Sequence, residues 1–294
     1  MSAAPPTDEA FRALYPFQSR FHTIGPHRLH YLDEGSGEPV VMLHGNPTWS
    51  FYYRRLAAEL RATHRVIVPD HMGCGFSDKP QDYPYTLATH AANLKDLLDS
   101  LKIGRLNLVV HDWGGPIGLA CAVRDPDRIA RLVILNTSGF LSRRIPLRIA
   151  ACRIPAFGAL AVRGFNAFAR AALSMAVCHR ERMTPDVRAG YLRPYDSWAN
   201  RVAVLRFVQD IPMSPAVPSH GIVAEIEGGL AKLKAKPMLI QWGARDWCFD
   251  LSFLDGWRRR FPEASVDAYE DAGHYVLEDA YERVIPRIKS FLLA

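Results

Sequence analysis

The segment Val109-Val110-His111-Asp112-Trp113-Gly114-Gly115 runs an apolar stretch straight into a carboxylate and then into two glycines. A strand turning sharply into a helix here lifts the Asp112 side chain above the sheet, and glycines permit the close backbone approach that such a turn demands. A carboxylate held there is a nucleophile that forms an ester or anhydride with a substrate carbon. An aspartate before a helix also suits a plain N-cap, so the assignment depends on its company. Residues 237–241 (PMLIQ) are followed by Trp242-Gly243-Ala244-Arg245-Asp246, and residues 265–269 (SVDAY) by Glu270-Asp271-Ala272-Gly273-His274. Nucleophile, acid and histidine in that chain order form a set in which Asp246 orients His274 and His274 serves as a base. Asp250 is a rival acid, set farther from its strand. Asn136-Thr137-Ser138, after the apolar residues 132–135, offers no carboxylate.

A fourth group is His44-Gly45-Asn46-Pro47-Thr48-Trp49. The loop after that apolar run and the residue after the nucleophile are where two backbone N–H groups stabilise a developing negative charge, which places them at Asn46 and Trp113. Their side chains add an amide NH₂ and an indole N–H. Four donors are therefore expected to face an oxyanion, a halide or a carboxylate. The plainer readings are packing for Trp113 and a turn before Pro47 for Asn46.

These residues need a scaffold, and the hydrophobic pattern supplies one. Residues 21–25 and 28–32 alternate and predict two antiparallel strands. The continuous apolar run at 39–43 marks a strand buried on both faces, and 65–69, 106–110, 132–135, 237–241 and 265–269 predict the remaining strands. Helical spacing at 49–60, 87–101, 115–123, 253–260 and 280–293 fills the gaps. The alternation predicts an α/β fold with a mostly parallel, doubly wound sheet. It breaks at Gly139, and residues 139–220, rich in Ala, Arg, Pro and Phe, are expected to form an inserted helical cap. Residues 1–138 and 221–294 would then form the core, with ligands bound at the carboxyl ends of the strands.

Composition sets the outer bounds. The 294 residues, 49% hydrophobic and 22% charged, suffice for a large α/β domain and exclude disordered and fibrous classes. The net charge of +6 and pI of 9.1 would usually raise nucleic acid as a partner. The excess is local, however. Residues 139–220 hold twelve arginines, no lysine and four acids, while the remainder, with 24 basic and 26 acidic residues, is slightly negative. No nucleic-acid motif accompanies them, so a membrane surface or an acidic protein is the expected partner of this basic block. Arg143, Arg144 and Arg148 are expected on one helix face beside Leu147. Five scattered cysteines without a CxxC pair suit a reduced cytoplasm and argue against structural zinc. The first twenty residues lack the basic start and apolar run of a signal peptide, and no apolar stretch approaches about 20 residues.

HGNPTWS, PDHMGCGFSDKP and VVHDWGGPIG resemble segments of the haloalkane dehalogenases, within the α/β-hydrolase superfamily, and the likeness extends over the chain outside residues 139–220. The resemblance implies an α/β-hydrolase fold with an inserted helical cap. It also implies an Asp112–His274–Asp246 triad, with Asn46 and Trp113 as an anion-holding pair. HGNPTWSFYYR together with PDHMGCGFSDKP is more similar to the β-lactone decarboxylases of bacterial long-chain olefin biosynthesis. That likeness implies conversion of a hydrophobic cis-3,4-dialkyl β-lactone to a cis-alkene and CO₂, and docking to the β-lactone synthetase that makes the substrate. Haloalkane dehalogenation is the alternative. Epoxide hydrolysis would need cap tyrosines as acids, for which Tyr191 and Tyr195 are available. No metal or organic cofactor is implied.

Overall fold

The computed structural model describes residues 8–294. After α1 (Asp8–Leu14), a hairpin of β1 (Arg20–Ile24) and β2 (His27–Glu34) opens a sheet that continues with β3 (Pro39–Leu43). A 3-10 turn at Ser50–Tyr53 leads into α2 (Arg54–Leu60), β4 (Arg65–Pro69), α3 (Leu87–Ser100) and β5 (Leu106–His111). Next come α4 (Gly114–Arg124) and β6 (Ile129–Leu135). Six α-helices then separate β6 from β7 (Met238–Gly243): α5 (Leu147–Cys152), α6 (Pro155–Gly158), α7 (Ala167–Met175), α8 (Pro185–Leu192), α9 (Val202–Gln209) and α10 (Pro218–Gly229). The described chain closes with α11 (Leu251–Arg260), β8 (Ser265–Tyr269), α12 (Val276–Asp279) and α13 (Tyr281–Leu293).

The eight strands form one sheet in the order β1-β2-β4-β3-β5-β6-β7-β8, antiparallel at β1/β2 and β2/β4 and parallel elsewhere. This is the α/β-hydrolase fold expected from the sequence. The central strands read as continuous apolar runs because both faces are covered. In β3, Val40 and Met42 pack with α2 and α13 residues such as Leu56 and Ile288, while Val41 and Leu43 pack with α3 and α4 residues such as Leu97 and Ile117. Each such fully buried aliphatic side chain contributes about 1.5–3 kcal/mol. Strand order reverses around β3, whose neighbours are β4 on one side and β5 on the other, and that reversal opens a crevice at the carboxyl ends.

Local differences from the sequence pattern have local causes. β6 starts at Ile129, ahead of the apolar run, because the half-buried Arg131 interrupts it. The closing helix runs as expected, and the short α12 that precedes it, unpredicted, is set off from it by Ala280, whose backbone leaves helical geometry at φ −135°. Arg143, Arg144 and Arg148 do not share a helix face: α5 starts at Leu147, leaving Arg143 and Arg144 in the preceding loop. Pro146 explains the boundary, because proline pushes the residue before it out of the helical region. The division at 220/221 falls inside α10, which packs on α3 and α4.

Candidate active site

Asp112 follows β5 directly and has φ +50°, a left-handed backbone rarely adopted by a residue other than glycine. Such a conformation costs on the order of 1–3 kcal/mol and persists only where its surroundings enforce it. Here they do. A Cβ on Gly114 would lie 2.0 Å from the Leu43 carbonyl oxygen, and one on Gly45 would lie 2.1 Å from Asp112 Oδ1, so only glycine lets the two loops close on each other. Thr137, after β6, donates its hydroxyl to the Asp112 carbonyl at 2.5 Å. The turn holds the Asp112 carboxylate above the crevice, with the side chain almost wholly buried.

His274 sits in the loop between β8 and α12. Its Nδ1 donates to Asp246 Oδ2 at 2.7 Å, and its Nε2 lies 3.6 Å from Asp112 Oδ2. The first distance is a strong hydrogen bond; the second is beyond hydrogen-bond reach. Asp246, in the loop after β7, is fixed from three further sides. Its Oδ1 accepts the backbone N–H groups of Cys248 and Phe249, and its Oδ2 accepts Asn136 Nδ2 at 3.0 Å. Burial disfavours an imidazolium at His274, but the carboxylates of Asp246 and Asp112 outweigh it and hold the His274 pKa above its ordinary value. Burial raises the Asp112 pKa, against the opposing pull of His274 and of backbone N–H groups from Asn46 and Trp113. Both pKa values are therefore raised, that of Asp112 by its burial and that of His274 by its two carboxylate neighbours.

Asn46 and Trp113 divide their donors differently from the expectation. The Asn46 backbone N–H donates to Asp112 Oδ1 at 2.6 Å, and the Trp113 backbone N–H also serves the Asp112 carboxylate. The Asn46 amide donates through Nδ2 to the Val204 carbonyl of α9 at 3.1 Å. The reading in which four donors all face a substrate anion is thus corrected. The reason is geometric: Asp112 Oδ1 lies within reach of the Asn46 backbone N–H, and the Asn46 amide reaches the α9 backbone. The Trp113 indole remains beside Phe207 on the wall of the cavity.

That cavity, of about 470 Å³, is lined by Asp112, Asn46, Trp113 and His274 at its base and otherwise almost entirely by apolar side chains, including Phe168, Met175, Val208 and Phe253. The two tyrosines available for epoxide opening are not on its wall. Tyr191 donates to Glu278 Oε1 at 2.6 Å and Tyr195 to the Thr48 carbonyl at 3.1 Å, both fully buried. Asp250 is excluded as the acid, because it caps α11 through Ser252 N and pairs with Arg144. Among the described residues no cluster of three or more potential ligands could hold a metal ion.

Several supporting residues escaped the sequence reading. Asn136 bridges Gly243 and Asp246, a role foreshadowed only by its position at the end of β6. The His111 Nε2–H donates to the His274 carbonyl at 2.9 Å, which ties the His274 loop to β5, the strand that leads into Asp112. Asp279 accepts the backbone N–H of Gly273, next to His274, and those of Cys178 and His179 from the inserted block. Arg54 and Glu278 form a two-pronged ion pair with almost no exposure, at the base of the same loop.

The chain matches the family described as alpha/beta hydrolase fold over residues 38–281. It is 49% identical to a cis-3-alkyl-4-alkyloxetan-2-one decarboxylase of Shewanella oneidensis over 95% of this chain and 89% of that protein. It is 45% identical to a protein of the same name from Xanthomonas campestris over 89% of this chain and 91% of that one. Identity to haloalkane dehalogenase 2 of Mycobacterium tuberculosis is 31%, over 94% of this chain and 95% of that protein.

Proposed function

From the premise that this chain belongs to the α/β-hydrolase family, we propose that it is a β-lactone decarboxylase converting a cis-3,4-dialkyl β-lactone to a cis-alkene and CO₂. The observation that carries this reading is the contrast between 49% identity to a protein named for that reaction and 31% to a dehalogenase, each over most of both chains. On this reading residues 139–220 form the cap over the site, and the enzyme works in cytoplasmic olefin biosynthesis.

The chemistry follows from Asp112 Oδ2, the oxygen that faces His274 Nε2. Attack on the ring carbon bearing oxygen forms a bond from Oδ2 to that carbon and breaks the ring C–O bond, releasing a carboxylate on the neighbouring carbon. Because the new bond forms opposite the old one, the Asp112 oxygen stands antiperiplanar to the carboxylate carbon. The C–C bond electrons then become the alkene π bond, CO₂ departs, and Asp112 leaves with its own two oxygens. Inversion followed by anti departure turns a cis-lactone into a cis-alkene. No water enters and no proton is transferred. His274 and the Trp113 indole line the cavity beside Asp112 and are the donors available to the carboxylate released in the first step. The Asn46 backbone N–H on Oδ1 holds the nucleophile in register throughout.

Turnover of a cis-3,4-dialkyl β-lactone in heavy-oxygen water tests this sequence. The expected result is cis-alkene with Asp112 unlabelled in the active-site peptide. A β-hydroxy acid product with label in Asp112 would make the protein a hydrolase.

A further inference from the structure

Ten large hydrophobic side chains are well exposed among the described residues, and six of them lie on the block between β6 and β7. Leu147, Ile154, Phe157, Leu160 and Phe165 fall within nineteen residues, and Trp198 flanks Gly164 together with Leu160. Leu147 is 87% exposed and Phe165 69%. Isolated apolar residues on a surface need no explanation, but these sit on elements that pack against one another: α5 on α6, and α6 on the π-helical turn Ala159–Gly164. A patch of that density marks an interaction surface.

Its charge says what it fits. From Arg143 to Arg170 the chain carries six arginines and no aspartate, glutamate or lysine. Arg144 is engaged by Asp250, and Arg163 by Gln81 and the Trp198 carbonyl. Arg143, Arg153 and Arg170 have no carboxylate partner among the described residues. Protruding apolar side chains interleaved with free guanidinium groups complement a layer of anionic headgroups over hydrocarbon. The cavity reaches the same surface, since the exposed Arg144, Arg148 and Phe157 also line it.

We propose that this face, residues 143–170 with Trp198, docks the protein on an anionic lipid bilayer, with the cavity mouth turned toward the hydrocarbon. The surface does not depend on which reaction the site performs, so its test is separate. Flotation of the full chain with vesicles of phosphatidylcholine alone, or with phosphatidylglycerol added to about one third, measures it directly. Binding at least about tenfold stronger to the anionic vesicles, and weakened by salt, is expected. A variant combining R143E, R153E and R170E, and one combining L147S, I154S and F165S, should each lose about tenfold or more in that affinity. None of these six residues lines the cavity, so both variants keep their turnover of a soluble short-chain substrate, which also shows that they are folded. Equal binding to neutral and anionic vesicles, or unchanged binding by either variant, would overturn the proposal. So would failure of the wild-type protein to bind vesicles while it binds an acidic protein or a second copy of itself through this face.

Discussion

The fate of Asp112 decides the account at the scale of single residues. Asp112→Asn replaces a carboxylate with an amide, a very weak nucleophile, and turnover should fall by at least about a thousandfold while the fold persists. Comparing lactone turnover with thermal unfolding of the same sample checks this, with peptide mass excluding deamidation. The pH dependence follows from the directions of the two shifts. Because the Asp112 pKa is raised, activity should fall on acidification at a midpoint above the usual carboxylate range, as the nucleophile takes up a proton. Because the decarboxylation needs no neutral base, kcat should not rise as His274 loses its proton above the ordinary histidine value of about 6.5. A profile of kcat that climbs through that region would assign His274 to water activation instead. His274→Phe separates the same alternatives: lactone turnover should drop by less than the hundredfold or more that loss of a general base costs. Near-complete loss with an adduct retained on Asp112 would point to hydrolysis.

Loops and helix ends decide whether those residues meet. The loop carrying His274 is tied to β5 through His111, to the inserted block through Asp279, and to α2 through the buried Arg54–Glu278 pair. Removing one member of a buried ion pair strands the other in a low-dielectric interior. Glu278→Ala should therefore cost about 3–5 kcal/mol in urea unfolding. Tyr191→Phe, which deletes only one hydrogen bond to the carboxylate, should cost about 1.5–3 kcal/mol. Equal losses in the two variants would contradict this division. Asp112 and Asp246 were legible because each follows a strand with a plain apolar run, and His274 because it follows the mixed segment 265–269 in the chain order the other two set up. Asn136, Asp279 and Glu278 were not, because nothing in sequence spacing shows that a polar residue will meet a partner many tens of positions away. The donors of Asn46 were misassigned for a related reason: its type reveals that it donates, but only the packed α9 shows that Val204 is the acceptor.

Considered whole, the molecule sets a small polar constellation at the base of an apolar cavity, beneath a basic block that exposes much of its apolar surface. The sheet was readable because burial on both faces writes itself as continuous Val, Ile and Leu. The inserted block was readable as helical and arginine-rich, but its short helices and the start of α5 at Leu147 depend on prolines whose effect on register is local. A cavity walled by Phe, Met, Val and Ala suits alkyl chains, and it suits them whether they belong to a lactone or a haloalkane. Substrate comparison on one protein preparation therefore separates decarboxylation from dehalogenation. Purified protein is given a cis-3,4-dialkyl β-lactone and, separately, a 1-bromoalkane of matched chain length, with alkene, CO₂ and bromide measured. The account predicts cis-alkene and CO₂ in equal amounts from the lactone over many turnovers, and bromide release slower by at least about a hundredfold. Rapid bromide release with no alkene from the lactone would contradict it.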